Sequence, residues 1–328
     1  MRGAIQAANI TMSEWNFNIG SGSRLLERLK AIPIKLEDVT ERIFQGIKTS
    51  ADKIYIVEEI ERSDKQVKVF SREKQSEYWL ESVLLHPLIK GGDSKRYFLT
   101  KTNRLILFPY ERQKNGLNGL ISTSIFKEDY PLTWKYLLDN RKYLENRENG
   151  KMIGDKWYGY VYPKALDVMP LSKIFTPDIA PHSAFSLDAV GDIFFTGGTA
   201  GGYGILANPD NSRLYILGLL NSRLLEWFIH QTATSMRGGW FSYESRFIRH
   251  LPIRQINFTD KNEKAMHDKM VSLVEQLLDV KKQQQAARTD RDKDYYQNRS
   301  NALDRQIDEL VYQLYGLTDN EIKIVEAQ

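Results

Sequence analysis

The spacing of apolar residues changes period along the chain, and the changes mark out its elements. After an N-terminal stretch carrying Trp15 and Phe17, Leu25, Leu26 and Leu29 form a short amphipathic helical face that stops before Pro33. From Val39 to Phe70 the apolar residues come in short alternating runs. Arg42-Ile43-Phe44-Gln45 leads into Gly46, and the runs Lys53 to Val57 and Val67 to Phe70 follow, which predicts strands of an antiparallel sheet. Tyr78 to Leu85 predicts one or two helical turns ended by His86-Pro87, and Arg104 to Phe108 a strand closed by Pro109. Pro131 suits a first helical position, with Trp134, Leu137, Leu138, Tyr143 and Leu144 at helical spacing through Arg147. Trp157 to Phe195 returns to strand patterning. After the turn Asn208-Pro209-Asp210-Asn211, an apolar helix is predicted through Leu217, Leu220, Leu224, Trp227 and Phe228.

The pattern becomes purely helical past Phe258. Asp260 with Glu263 is an N-terminal cap signature, and Met266, Met270, Leu273, Val274, Leu277 and Leu278 make one stripe. The polar stretch Lys281 to Arg299 is expected to intervene, with Thr289 and Asp292 restarting a helix. Leu303, Ile307, Leu310, Val311 and Leu314 form its stripe, ended at Gly316, and Thr318 with Glu321 caps a last short helix. The expected fold is α+β: a recognition lobe built on a mixed or antiparallel curled sheet, and a C-terminal antiparallel helical hairpin. Three segments follow: a connector arm (1–33), a recognition domain (34–258) and the hairpin (259–328).

Charge adds an asymmetry to this division. The net charge of +4 over 328 residues divides into +7 for residues 1–258 and −3 for 259–328. The run from His86 to Gly116 sets Lys90, Lys95, Arg96, Lys101, Arg104, Arg112 and Lys114 against only Asp93 and Glu111. Basic side chains interleaved with aromatic ones are the electrostatic footprint of a nucleic-acid binder. The chain has no cysteine, which excludes disulfides and cysteine-ligated metals. No apolar run reaches the ~18 residues of a membrane span, and no signal-peptide core follows Met1, so a cytoplasmic protein without membrane partners is expected.

Few residues carry a chemical signature. The histidines at 86, 182, 230, 250 and 267 are scattered, with no His-x-x-x-His pair for zinc. Gly20-Ser-Gly-Ser23 lacks the spacing of a hydrolase nucleophile turn. Thr196 to Gly204 is glycine-rich but lacks the Gly-Lys-Ser/Thr of a phosphate loop. Asp93-Ser94-Lys95 downstream of Glu81 formally matches a Mg²⁺-nuclease pattern, although it follows Gly91-Gly92 rather than lying on a strand. No two prolines are adjacent, so the Pro-Pro-aromatic tetrad of amino-DNA methyltransferases is absent. The residues point to recognition instead. Lys48, Lys53, Lys90, Lys95, Arg96, Arg104 and Arg249 are candidate phosphate contacts. Arg112, Lys114, Lys156, Trp157, Arg237, Trp240 and Arg246 are candidate base readers, arginine being the commonest direct reader of guanine.

Several stretches, in order, resemble the target-recognition region at the C-terminus of type IIG restriction-modification enzymes and their stand-alone adenine methyltransferase relatives, the TaqI-like specificity domain. They are Ile43-Phe-Gln-Gly-Ile-Lys-Thr49, Leu88-Ile-Lys-Gly-Gly-Asp-Ser-Lys-Arg-Tyr97, Tyr130-Pro with Tyr136-Leu137, Lys173-Ile-Phe-Thr-Pro177, Leu219-Leu-Asn-Ser222 through His250-Leu-Pro-Ile253, and Asp304 to Thr318. Gly92 and Ser94 stand where that family usually has Arg and Ile. The resemblance implies a sequence-specific DNA-recognition module, non-catalytic by itself, with double-stranded DNA and an N-terminal methyltransferase domain or subunit as partners. It also implies that S-adenosylmethionine, and Mg²⁺ where the parent enzyme cleaves as well as methylates, belong to the catalytic part and not to this chain. Two rival readings are a stand-alone Mg²⁺-dependent nuclease or nucleotide-binding enzyme, and a protein-interaction adaptor.

Overall fold

The computed structural model describes residues 22–114 and 116–327. Trp15, Phe17 and most of the expected connector arm lie outside them. Strands and helices are mixed, and two hydrophobic cores meet across one sheet. This inner sheet has the order Thr40–Gln45, Gly202–Ala207, Lys173–Pro177, Ser186–Asp188, antiparallel throughout. Ile43, Ile174 and Ile205 are paired in register and face a helical core. Phe44, Phe175 and Leu206 alternate onto the other face, toward the second core. Gly204 lies opposite both Phe44 and Phe175. A Cβ there would come within 2.4 Å of the Phe44 ring, so the absent side chain is what lets the rings close over the sheet.

The second core is organised by a six-stranded sheet ordered Phe194–Phe195, Leu85–Ile89, Arg104–Leu107, Ile56–Arg62, Gln66–Ser71, Ser76–Glu81. Only the first of these pairings is parallel. Tyr78 to Leu85, where the pattern suggested one or two helical turns, is thus mostly strand, with a single 3-10 turn at Ser82–Leu84. Tyr78 pairs with Val69 and Leu80 with Val67, so the apolar residues are shared across strands with period two. The helix expected from Pro131 to Arg147 is broken at Asn140, whose side-chain amide donates to the Tyr136 carbonyl at 2.8 Å.

The helical core collects the helices Ser23–Lys30, Arg213–Leu220, Arg223–Thr232, Lys261–Ala286, Asp290–Leu314 and Asp319–Glu326. The apolar run after Asn211 splits into two helices because the Asn221 side chain pairs with the Phe185 backbone in both directions, while Ser222 caps the second helix. Asp260, Thr289 and Thr318 cap the three C-terminal helices. The stretch Lys281 to Arg299 is not an open polar connector. Helix resumes after only Ala287 to Thr289, since its Gln, Lys and Arg residues are good helix formers and Thr289 supplies the cap. Met270, Val274 and Leu277 share their core with Leu217 and Leu220, and a Cβ on Gly218 would lie 2.6 Å from the Met270 sulfur. The C-terminal helices are therefore packed into the body of the protein, across the division placed at 258.

Candidate nucleic-acid interface

Three turns from distant parts of the chain are laced together by backbone hydrogen bonds. The Ile47 amide donates to the Phe195 carbonyl at 3.0 Å, and the Gly197 amide returns to the Ile47 carbonyl at 3.1 Å. The Gly91 amide donates to the Ala200 carbonyl, also at 3.0 Å. Glycine is required at position 46, where a Cβ would stand 2.4 Å from the Thr196 carbonyl carbon. Lys48, Lys53, Lys90 and Lys95, on or beside these turns, are exposed. The turn at Gly91–Asp93 is fixed by the Asp93 carboxylate, which accepts from the Lys90 amide at 2.7 Å and pairs with Arg104.

The Lys48 end is anchored from below. Arg147, only 6% exposed, donates to the carbonyls of Thr49 at 3.0 Å, Trp157 at 2.6 Å, Gly159 at 2.8 Å and Leu144 at 2.8 Å. Its guanidinium also lies over the Tyr55 ring, whose hydroxyl donates to the Tyr158 and Gly159 carbonyls. One cation thus ties the Lys48 loop to the 157–159 segment. Sequence reasoning missed it, because nothing local separates Arg147 from a surface arginine. Beside it, Lys48 bridges to Tyr162, an exposed ring that Lys151 approaches at 5.2 Å.

A second exposed element is the hairpin of Ser235–Met236 and Trp240–Ser242, paired to Ile179–Ala180. Its turn places Gly238 and Gly239 at φ of 87° and 78°, a conformation that favours glycine. Arg237 and Trp240 are exposed on it. Between this hairpin and the Gly91–Gly92 turn opens a cavity of about 800 Å³, lined also by the segment 177–184, Thr199, Ala200 and Arg223. Lys95, the glycine loop and Trp240 thereby meet at one place. Arg223 and His182 join them there without having been singled out in the sequence.

Other candidates lie elsewhere. Arg112 and Lys114 project from the hairpin of Tyr110–Arg112 and Asn118–Leu120, which is held to the 157–167 segment by the Asn118 amide donating to Asp167 and the Tyr160 amide to the Tyr110 hydroxyl. Lys156 is exposed at the start of that segment. Arg246 is engaged by Glu244 at 3.2 Å and lies 4.5 Å over the Phe247 ring. Arg249 is exposed, with its side chain on the Ser245 carbonyl and its own carbonyl accepting from the Glu37 amide, next to the His250–Glu37 pair.

Three candidates are already committed inside the fold. Arg96, 24% exposed, pairs with Asp304 at 3.0 Å and reaches Asp308 at 3.7 Å on the helix Asp290–Leu314. It fastens the C-terminal helices to the laced turns, which leaves its charge partly compensated at the cavity it helps to line. Burial pushes the Asp308 carboxyl up to about 6, against the pull of Arg96, and raises Asp304 as well. Arg104 is neutralised by Asp93. Trp157 is 3% exposed, enclosed by Trp134, Tyr158 and Arg141, and presents no face on which a base could stack.

The nuclease pattern does not converge. Glu81 accepts from the Leu132 and Thr133 amides at the start of a helix, while Asp93 holds the glycine turn. Among the described residues no three His, Asp or Glu side chains are grouped to hold a metal. The loop 196–202 returns to a strand and not to a helix N-terminus, so it lacks the geometry of a phosphate loop. No described helix is long and apolar enough to cross a membrane.

No family model matches the chain. Among curated proteins it is similar to the type II restriction enzyme and methyltransferase RM.Eco57I of Escherichia coli, with 27% identity over 299 residues, covering 87% of this chain and 30% of that protein. The type II methyltransferase M.BstVI of Geobacillus stearothermophilus is 25% identical over 261 residues, covering 77% of this chain and 41% of its own. The type II methyltransferase M.BanIII of Aneurinibacillus aneurinilyticus is 26% identical over 215 residues, 63% of this chain and 33% of its own. The chain thus spans between 30% and 41% of the length of these relatives, and corresponds to a part of such proteins.

Proposed function

We propose that this chain is the sequence-reading part of a restriction-modification enzyme, a TaqI-like specificity domain that binds duplex DNA for an adenine methyltransferase domain or subunit and carries no catalytic centre of its own. One observation carries the reading: three glycine-containing turns joined by backbone hydrogen bonds, with the residues beside them, leave Lys48, Lys53, Lys90 and Lys95 exposed, and the neighbouring hairpin exposes Arg237 and Trp240, of which Trp240 lines the adjoining cavity. Backbone held this close to the surface lets a phosphate strand approach, while the cations neutralise it. The similarity to type II restriction and methyltransferase enzymes supports the same reading. Within it, the segment 34–258 forms the DNA-facing surface and 259–328 braces it, through Arg96, Asp304 and the shared helical core.

The test is duplex binding as a function of salt. If the four lysines and Arg237 each neutralise one phosphate, log K should fall with log salt with a slope of about −4 to −5. An affinity unchanged between low and moderate salt would contradict the electrostatic footprint.

A further inference from the structure

The helical pair Lys261–Ala286 and Asp290–Leu314 is longer than bracing the core requires, and we propose that its distal end lies along the duplex and clamps phosphates outside the stretch whose bases are read. The proposal rests on the DNA-recognition reading and extends the surface which that reading uses. Fully buried side chains end at Val280 on the first helix and begin at Ser300 on the second. At 1.5 Å per residue, 281–286 and 290–299 carry the pair on the order of 9–15 Å past its buried part.

Charge selects the partner. The net −3 of residues 259–328 joins two opposed parts: 281–299 holds six Lys and Arg against three Asp, net +3, while the remainder is net −6. Lys282, Arg288, Arg291, Lys293 and Arg299 are exposed, and among the described residues Lys293 alone of these forms an ion pair, with Asp290 at 3.2 Å. Asp292 is engaged by the Thr289 hydroxyl at 2.7 Å. Arginines without an acidic partner, on a projection that contributes no core, suit a polyanion. Placement makes that polyanion the duplex. Lys95 and Phe98 are cross-strand partners, and the side chains of such a pair stand on one face. Lys281 reaches over the Phe98 ring, 5.6 Å from its centre, and the Gln285 amide donates to the Leu99 carbonyl at 3.3 Å. The root of the projection is thus fixed to the strand pair that carries Lys95, so the basic surface starting at Lys90 and Lys95 extends through Lys281 onto the helices. Tyr295, 57% exposed, adds a hydroxyl able to donate to a phosphate oxygen.

The test compares the whole chain with its Arg288→Gln/Arg291→Gln variant in binding a long mixed-sequence duplex over a range of salt. Losing two phosphate contacts should make the slope of log K against log salt shallower by about 2, so that the variant's shortfall in affinity shrinks about tenfold over about a fourfold rise in salt. Arg288→Lys/Arg291→Lys keeps both charges and should keep the parental slope. Neither variant should move the melting temperature, since both side chains are exposed. Because the chain has no cysteine, Arg291→Cys takes a photoreactive label at one position only. Irradiation should join that label to the duplex, whereas the same label on Glu309→Cys, exposed on the acidic part of the second helix, should not attach. An unchanged slope in the Gln variant, with duplex binding intact, would overturn the proposal, leave the DNA-recognition reading standing and free the basic tip for an acidic protein surface. A slope lost equally in the Lys variant would overturn it too, because the charge survives that exchange. No attachment from position 291, or equal attachment from both positions, would do the same. Absence of duplex binding by the parent chain would remove both readings.

Discussion

Replacing Lys173 by Met removes the cation of a pair that is all but sealed from solvent, with side-chain exposures of 1% and 2%. All three Lys173 ammonium protons are used, on Asp188 at 2.5 Å and on the Met169 and Leu171 carbonyls at 2.7 and 3.1 Å. Asp188 keeps only the amides of Gly191 and Ile193 at 2.9 and 3.2 Å. Methionine refills most of the volume, so the cavity contribution is small and the loss is electrostatic. Removing one partner of a buried pair costs about 3–5 kcal/mol. Denaturant titration should show a loss of about 3–4 kcal/mol at pH 7. Asp188→Asn in the same background should recover most of it, since the amide oxygen still accepts while the charge is gone. A loss under about 1 kcal/mol would refute the account of Lys173 and Asp188 as a desolvated pair.

Other substitutions separate structural cations from exposed ones. Arg147→Met orphans the buried Thr49 and Trp157 carbonyls and should destabilise by about 2–4 kcal/mol while weakening DNA binding through the freed Lys48 loop; normal stability and affinity in the variant would contradict its role as the anchor. Lys95→Ala should weaken binding to all duplexes about equally with the melting temperature unchanged, whereas Arg96→Ala should lower the melting temperature by uncoupling Asp304 and Asp308; the reverse assignment of effects would show that the two neighbours have been confused. Leu277→Asp places an unpaired carboxylate in the helical core and should cost several kcal/mol, and a melting temperature unchanged from the parent would rule out that packing.

Much of the helical region was legible because its signals are local. Asp260, Thr289 and Thr318 announce their helices from within three residues, and the stripe Met270–Leu273–Leu277 needs no partner to be seen. Tyr78 to Leu85 was misread for the opposite reason: its period-two pattern becomes visible only against Val67 and Val69, on a different strand. The same limit governs the site. The lysines at 48, 53, 90 and 95 could be picked out as basic residues on glycine-rich turns. Arg96 looked identical to them because its partners, Asp304 and Asp308, lie more than 200 residues away. Trp157 looked like a stacking ring because Trp134 and Arg141, which cover it, belong to another helical segment. The cavity was invisible for the same cause, being assembled from segments near 91–96, 177–184, 199–200 and 223–240 that share no motif.

The central claim is that this surface reads sequence and does not merely attract phosphate. Selection of bound duplexes from a pool with a randomised core, performed with the whole chain at moderate salt, tests it most directly. The expected result is convergence on one short sequence, with single-base changes in it costing about 1–3 kcal/mol each. Duplexes recovered with no enrichment of any sequence, despite salt-dependent binding, would contradict it.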